Sequence, residues 1–276
     1  MRSLLPRAAI LFKAASFCGS EYFLVAVIAI GYWGYDRRLS KQTAILLLIT
    51  AVSNYWLKIT IKNPRPPSTL WLPGVTAKNY SLPSGHAQSS TVIWGWVGLK
   101  TLKKWVSGFL ACLILVIGLS RVYLGVHWLG DVLFGWVIGA VIVWVINRYE
   151  TRIFAFVESD GFDVGLTVFG LVSMLGVEYF SPVVLGDNFG SLGGLMVGVG
   201  IGFLLEKKYV KYEPDDTPIW RRALRVILGL GLVLSVLMGL SGLLPSDVCL
   251  LRCVRYALVA ITALFLWPYI FTRFKL

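Results

Sequence analysis

Long apolar runs separated by short polar connections set the rhythm of this 276-residue chain. Runs that reach, or nearly reach, the length needed to cross the roughly 30 Å hydrocarbon layer of a bilayer are read at Glu21–Tyr35, Gln42–Ile61, Gly85–Leu102, Val106–Leu124, His127–Ile146, Val164–Phe180, Gly190–Leu205, Ala223–Leu243 and Val254–Phe271. Residues 1–19 mix Arg2, Arg7 and Lys13 with Leu4, Leu5, Ile10, Leu11 and Phe12. That stretch is too short and too charged to span, and reads as an amphipathic helix lying at the interface. The pattern predicts an all-α, polytopic transmembrane helix bundle of about nine spans plus an N-terminal interfacial helix. Its longest polar connection in the first half, Asn63 to Pro83, holds Pro64, Pro66, Pro67, Pro73 and Pro83. Five prolines forbid a helix there and favour a shaped, semi-rigid loop.

Composition agrees with the pattern: 57% of residues are hydrophobic and 14% charged, and the mean hydropathy is +0.74. The net charge of +12 raises nucleic acid as a partner. No basic surface with interleaved aromatics remains once the spans are set aside, so nucleic-acid binding is excluded. The basic residues instead sort by loop. Arg37, Arg38, Lys41, Lys100, Lys103, Lys104, Arg148, Arg152, Lys207, Lys208, Lys211, Arg221, Arg222, Arg225, Arg273 and Lys275 fall on one side of the predicted topology. By the positive-inside rule that side is cytoplasmic. Lys58, Arg65, His86, Arg121, His127 and Asp131 then share the opposite, outer face of a multi-pass protein of the cell membrane. The N-terminus shows no cleavable signal, because Arg7 and Lys13 interrupt its apolar run. Cys18, Cys112, Cys249 and Cys253 lack metal-site spacing, and Cys249 and Cys253, one helical turn apart, read as inert thiols.

Candidate chemistry concentrates in three segments: Lys58-Ile59-Thr60-Ile61-Lys62-Asn63-Pro64-Arg65-Pro66, then Pro83-Ser84-Gly85-His86, then Ser120 to Asp131. Besides Lys62, which reads as a surface or headgroup contact, they hold three cations (Lys58, Arg65 and Arg121), both histidines of the chain and one carboxylate, with no set suited to a metal. Guanidinium forks match phosphate oxygens bidentately, and lysine adds a point charge. Ser84-Gly85-His86 opens a predicted span, so N–H groups of a helix N-terminus face the same anion, and Gly85 lets the backbone approach closely. With a helix beginning near His127, Asp131 lies four residues on and on the same face. The carboxylate then accepts a hydrogen bond from one ring nitrogen and leaves the other free to attack phosphorus. The second imidazole, His86, protonates the leaving oxygen and afterwards activates water. Most of the barrier reduction in phosphoryl transfer is positioning and charge stabilisation, so the cations matter nearly as much as the histidines.

The pattern K-x6-R-P, P-S-G-H, S-R-x5-H-x3-D resembles that of the type 2 phosphatidic acid phosphatase superfamily, which shares its site with the vanadium haloperoxidases. Every position matches: Lys58, Arg65 and Pro66; Pro83 through His86; Ser120, Arg121, His127 and Asp131. The resemblance implies that His127 is the nucleophile, His86 the acid and Asp131 the group that orients the nucleophile. It implies that the lysine, the two arginines and the serine bind phosphate with no metal and no cofactor; the phosphate-binding set read here is Lys58, Arg65, Ser84, Gly85 and Arg121. It covers roughly residues 20–150, a catalytic core. Residues 151–163 then form a polar connector and residues 164–276 a C-terminal four-span extension.

The expected function is hydrolysis of a lipid phosphomonoester or diphosphate, of the polyprenyl diphosphate, phosphatidic acid or phosphatidylglycerol phosphate class, through a phosphohistidine. A site at headgroup depth admits a phosphate whose tail stays among membrane lipids. The rival readings are a lipid phosphotransferase, in which an acceptor lipid replaces water, and a non-catalytic lipid transporter. Outside the core, Gly190, Gly194, Gly198 and Gly202 form a stripe at four-residue spacing, which predicts close helix packing. Arg252 and Arg255 are intramembrane charges in search of partners, with Glu178, Asp187 and Glu21 as candidate ion-pair partners and a lipid headgroup as the other reading. Trp71 and Leu72 read as interfacial anchors beside the substrate.

Overall fold

The computed structural model describes residues 8–180, 186–211, 217–244 and 248–276, with the side chains of 174, 176–180 and 186–190 outside that description. In chain order its helices are α1 (Ala9–Cys18), α2 (Glu21–Gly34), α3 (Arg37–Ile61), α4 (Gly85–Lys100), α5 (Lys104–Tyr123), α6 (Leu129–Arg148), α7 (Glu150–Val157), α8 (Asp160–Phe180), α9 (Gly186–Tyr209), α10 (Ile219–Leu243), α11 (Cys249–Ile261) and α12 (Trp267–Arg273). A π-helical turn, Thr262–Leu266, joins the last two, and a 3₁₀ turn, Ser68–Leu70, sits in the proline loop. The all-helical architecture is the one read from the apolar pattern.

Not every run of that reading corresponds to a described helix that is by itself long and apolar enough to cross a membrane. Among the described residues, five helical segments are long and apolar enough to cross a membrane: α3, α5, α6, α10 and the continuous Cys249–Arg273. A sixth arises if α1 and α2, bent by 51° at their break, count as one. α2 has 14 residues and α4 has 16, and α8 and α9 run partly outside the described side chains. The connector after Arg148 contains α7, which buries Phe154 and Val157.

The helices fall into two compact units. The first comprises the described residues up to Val27 together with Gln42–Glu150, and the second comprises Ile28–Lys41 and Thr151–Leu276. In the first, α4 packs against both α5 and α6, and the close approach rests on glycine. A Cβ on Gly135 would fall 2.9 Å from the Ser84 carbonyl oxygen, and one on Gly139 would fall 2.6 Å from the Thr91 Cβ. Val92, Ile93, Trp96, Ile117 and Val132 fill the interior without exposure above 1%. The start of α4 is tied to α3 by side chains: Asn54 Nδ2 donates to Gln88 Oε1 at 2.8 Å, and Gln88 Nε2 donates to Ser53 Oγ at 2.9 Å. A buried amide satisfied at both ends fixes the register of two helices.

In the second unit, α9 packs against α8 and α11 through opposite glycine faces. Gly194, Gly198 and Gly202 leave room only for Cys253, Ala257, Ala260 and Leu264, and Gly170 of α8 meets the Gly193 carbonyl. The predicted glycine stripe is therefore a packing face; Gly190 lies outside the described side chains. Three ion pairs satisfy buried charges in this unit: Arg37 with Glu206, Lys41 with Glu158 at 2.9 Å, and Lys207 with Asp163. Arg252 and Arg255 are both buried, and the Arg255 guanidinium lies over the Tyr256 ring, 5.4 Å from its centroid. Their candidate partners Glu178 and Asp187 fall outside the described side chains. All four cysteines are free thiols.

Candidate active site

Every site residue read from the sequence belongs to the first unit. The end of α5, a tight turn and the start of α6 carry Arg121, His127 and Asp131. His127 precedes α6, which begins at Leu129, so the four-residue relation to Asp131 is not a helical face as expected. Asp131 occupies the third position of the helix, and its Oδ2 reaches back to accept from the backbone N–H of Trp128 at 2.8 Å. That arrangement satisfies an otherwise unpartnered donor at the helix start. It also sets the carboxylate beside the ring, with His127 Nδ1 at 3.3 Å from Asp131 Oδ2. The expected pairing therefore forms by a different local route. Gly125, at φ +78°, supplies the left-handed step that turns the chain between α5 and His127.

Two further donors converge on the same carboxylate. Ser81 Oγ donates to Asp131 Oδ2 and lies 3.4 Å from His127 Nδ1. Asn63 Nδ2 donates to Asp131 Oδ1 at 3.2 Å. Ser81 is wholly buried, and its backbone N–H donates to the Asn63 carbonyl at 2.8 Å, closing the proline loop at its base. Sequence reasoning passed over both residues. The available signal was their place, one inside the first segment and one two residues before Pro83, but nothing local assigns a serine or asparagine to a partner 50 or more positions away.

Arg65 faces the other side of the ring. Its Nη1 lies 3.1 Å from His127 Nε2 and donates to the Val126 carbonyl at 2.9 Å. Nη2 donates to the Lys78 carbonyl at 2.7 Å and Nε to that of Asn79 at 2.8 Å. Asn79 adopts φ +63°, a conformation an asparagine tolerates well. Lys78, which matched no motif position, thus contributes a carbonyl rather than a charge. Lys58 is buried at the end of α3 and donates from Nζ to the Tyr80 carbonyl at 2.6 Å. Trp71 and Leu72 pack against Phe12, Tyr123, Leu124 and Val126, so their anchoring is to the turn that leads into His127.

The second segment enters through Ser84, whose N–H donates to the Asp131 carbonyl at 3.0 Å just before α4 begins. Gly85 faces Asn54, whose Oδ1 would lie 3.3 Å from a Cβ there. The Ser84 hydroxyl is buried with no partner among the described residues, and so is Nε of Arg121. Both atoms keep hydrogen-bonding capacity that a water or a polar ligand satisfies. His86 follows Gly85 at the start of α4, and the charges acting on it come from Arg121, Lys58 and Arg65, together with the His127 ring. Ser120 is the exception among the motif residues. Its hydroxyl donates to the Ile117 carbonyl of its own helix at 2.6 Å.

Burial pushes the His127 imidazole down to about 4; the hydrogen bond it donates to Asp131 opposes this, and Arg65, Lys58 and Arg121 add to it. The ring is therefore neutral at ordinary pH. With Nδ1–H directed at Asp131, the lone pair of Nε2 points toward the Arg65 side. Among the described residues no group of three or more His, Cys, Asp or Glu side chains is placed to hold a metal ion.

A helical membrane protein whose cations, orphaned donors and carboxylate-steered imidazole converge at one end of its helices defines a phosphate-handling class. The PAP2 superfamily matches residues 41–155, and the PAP2 superfamily phosphatase transmembrane extension matches residues 190–276. The chain belongs to the PAP2 superfamily. It is similar to sphingosine-1-phosphate phosphatase 1 of Mus musculus, 24% identical over 95% of this chain and 71% of that protein. It is similar also to undecaprenyl-diphosphatase of Sulfolobus acidocaldarius, 31% identical over 48% of this chain and 66% of that one. A crystal structure of a transmembrane PAP2-type phosphatidylglycerolphosphate phosphatase from Bacillus subtilis superposes with a TM-score of 0.46 at 24% identity, covering 54% of this chain and 79% of that chain.

Proposed function

We propose that this protein is an integral-membrane lipid phosphatase that cleaves a lipid phosphomonoester or diphosphate through a phosphohistidine on His127. The observation that carries the reading is the two-sided hold on that ring, with Asp131 at Nδ1 and Arg65 at Nε2. In the proposed reaction Nε2 attacks phosphorus as the P–O bond to the lipid breaks. His86 gives its proton to the departing oxygen, then takes one from the water that hydrolyses the P–N bond and releases phosphate. Lys58, Arg65, Arg121 and the Ser84 hydroxyl, with the N-terminal N–H groups of α4, neutralise the charge on the three equatorial oxygens. Nothing in this cycle calls on a metal.

The substrate class follows from placement: the site lies at the ends of helices whose outer surfaces are apolar, so a lipid tail stays in the bilayer while its headgroup enters. Sphingosine phosphate and undecaprenyl diphosphate, the substrates that the relatives' names carry, both fit that description. The basic loops favour the outer membrane face. We further propose that residues 20–150 are the catalytic core and 164–276 a four-span extension, with nine spans in all. The test is phosphate release from a panel of lipid phosphates by the purified protein in detergent, with chelator present. Turnover by the wild type, its loss in His127→Ala and an acid-labile phosphoenzyme on rapid quenching are expected; turnover surviving in His127→Ala would overturn the reading. Transfer to an acceptor lipid without phosphate release would favour the phosphotransferase instead.

A further inference from the structure

Arg121 is 92% buried by its 8% exposure, yet no carboxylate among the described residues is hydrogen-bonded to it. Its Nη1 instead donates to Ser16 Oγ at 2.5 Å. Ser16 belongs to α1, which lies before the residues 41–155 that match the superfamily domain and outside all three motif segments. We propose that α1 is a fourth segment of the phosphate site, in which Ser16 is a positioning residue that orients the Arg121 guanidinium without neutralising it. The inference rests on the phosphate-site reading above.

Several contacts hold α1 in place for that role. Phe12, Ala15 and Ser16 form its buried face, at the three- and four-residue spacing of one helical side. The Phe12 ring stacks on Tyr123, two residues beyond Arg121, with centroids 4.2 Å apart. Lys13 Nζ donates to the Pro73 carbonyl in the proline loop at 3.3 Å. At the end of α1, Gly19 leaves no room for a side chain beside Ile117, and a Cβ there would sit 3.4 Å from His86 Cδ2. The opposite face, with Ile10, Leu11 and Phe17, is exposed and apolar. One short helix thus touches the arginine, the nucleophile's turn, the proline loop and the surroundings of the second histidine.

The choice of a hydroxyl has a physical consequence. A carboxylate at position 16 would orient Arg121 equally well but cancel its charge, whereas a hydroxyl accepts the hydrogen bond and leaves the full positive charge for an anion. The buried, unpartnered Nε of Arg121 is then held where phosphate oxygens arrive.

The test compares wild type, Ser16→Ala, Ser16→Thr, Ser16→Asp and Arg121→Gln in detergent, reading KM and kcat for a lipid phosphate and the inhibition constants of inorganic phosphate and vanadate. Ser16→Ala is expected to raise KM and both inhibition constants about tenfold together with a smaller change in kcat, Ser16→Thr to restore them, and Ser16→Asp to cost more than Ser16→Ala. In the Arg121→Gln background, Ser16→Ala is expected to add nothing. Inhibition constants unchanged in Ser16→Ala, or effects that multiply fully with Arg121→Gln, would overturn the proposal. Should Ser16→Ala fail to elute as a folded species, the Thr and Asp variants decide: equal inhibition constants in the two would also overturn it. A wild type that neither turns over lipid phosphate nor responds to vanadate would instead sink the phosphatase reading itself.

Discussion

Asp131 is the residue on which the three motif segments are tied together. Its carboxylate accepts from Ser81, Asn63 and Trp128 and faces His127, while its backbone carbonyl accepts from Ser84. Charge-assisted hydrogen bonds are stronger than neutral ones, so donors that fix the carboxylate also fix the ring it steers. Ser81→Ala and Asn63→Ala are each expected to lower kcat by roughly tenfold to a hundredfold, about 1.4 to 2.7 kcal/mol of barrier, with KM little changed. In an Asp131→Asn background the same substitutions should cost far less, and steady-state kinetics on the double variants checks this. Undiminished losses in that background would assign the two residues a purely structural part.

The pH response at the same scale follows from His127. Its unfolded value is about 6.5 and burial lowers it in the folded protein to about 4. The unfolded chain therefore binds the proton more readily, and the stability contributed by a neutral buried ring is complete above about pH 6.5 and is lost as pH falls through about 4. For catalysis, kcat/KM reports the free protein, so the acid limb owed to this group should fall near pH 4. A bound phosphate offsets the neighbouring cations and raises the ring's value, so the corresponding limb of kcat should lie at higher pH. Coincident limbs in the two profiles would contradict that ordering.

Helix ends and glycine faces decide the site at the next scale up. α4 delivers Ser84, Gly85 and His86, and its distance from α6 is set by Gly135 and Gly139. Gly139→Val places an isopropyl group of three carbons against Thr91 and the Gln88 carbonyl. Overpacking of this kind costs about 1–3 kcal/mol, and a lower melting temperature in detergent together with reduced activity is expected. Gly231→Ala on α10, where a Cβ meets nothing within 4 Å, should leave both unchanged. A tolerant Gly139 would mean that α4 and α6 can separate without disturbing the site.

The positions of these elements were largely legible from apolar periodicity, and the three chemical segments from residue type. Their boundaries were not. The helix after His127 starts two residues later than expected, because the capping demand of Asp131 and the tight turn at Gly125 override the continuous apolar pattern. The number of spans was less legible than the positions of the runs. Runs such as Gly85–Leu102 are apolar through burial in the protein, and Trp96 is fully enclosed, so hydropathy alone does not separate a lipid-facing helix from a core helix.

Across the whole molecule, every site residue lies in the first unit, while buried ion pairs hold the second. Glu206 is fully buried against Arg37. Removing one partner of a buried pair leaves a charge uncompensated and costs about 3–5 kcal/mol, so Glu206→Gln should lower the melting temperature markedly. Activity per folded molecule should stay near wild type, which active-fraction titration would show. Topology is open to a direct check as well. In a cysteine-free background, Thr76→Cys in the proline loop should react with a membrane-impermeant thiol reagent added outside intact cells, and Lys103→Cys should not. The reverse labelling would put the site on the inner face.

The order of residue types along the chain was enough to establish a helical membrane protein, its family resemblance and the identities of two imidazoles, one carboxylate and the cations around them. Those are properties of composition, periodicity and spacing, which a linear string carries in full. Only the folded chain decided that Ser81 and Asn63 hold Asp131, that Arg65 is fixed by three backbone carbonyls, and that Ser16 faces Arg121. Such partnerships join positions up to 105 residues apart, and they depend on the path of a proline loop and the docking of a short helix, which no local pattern encodes.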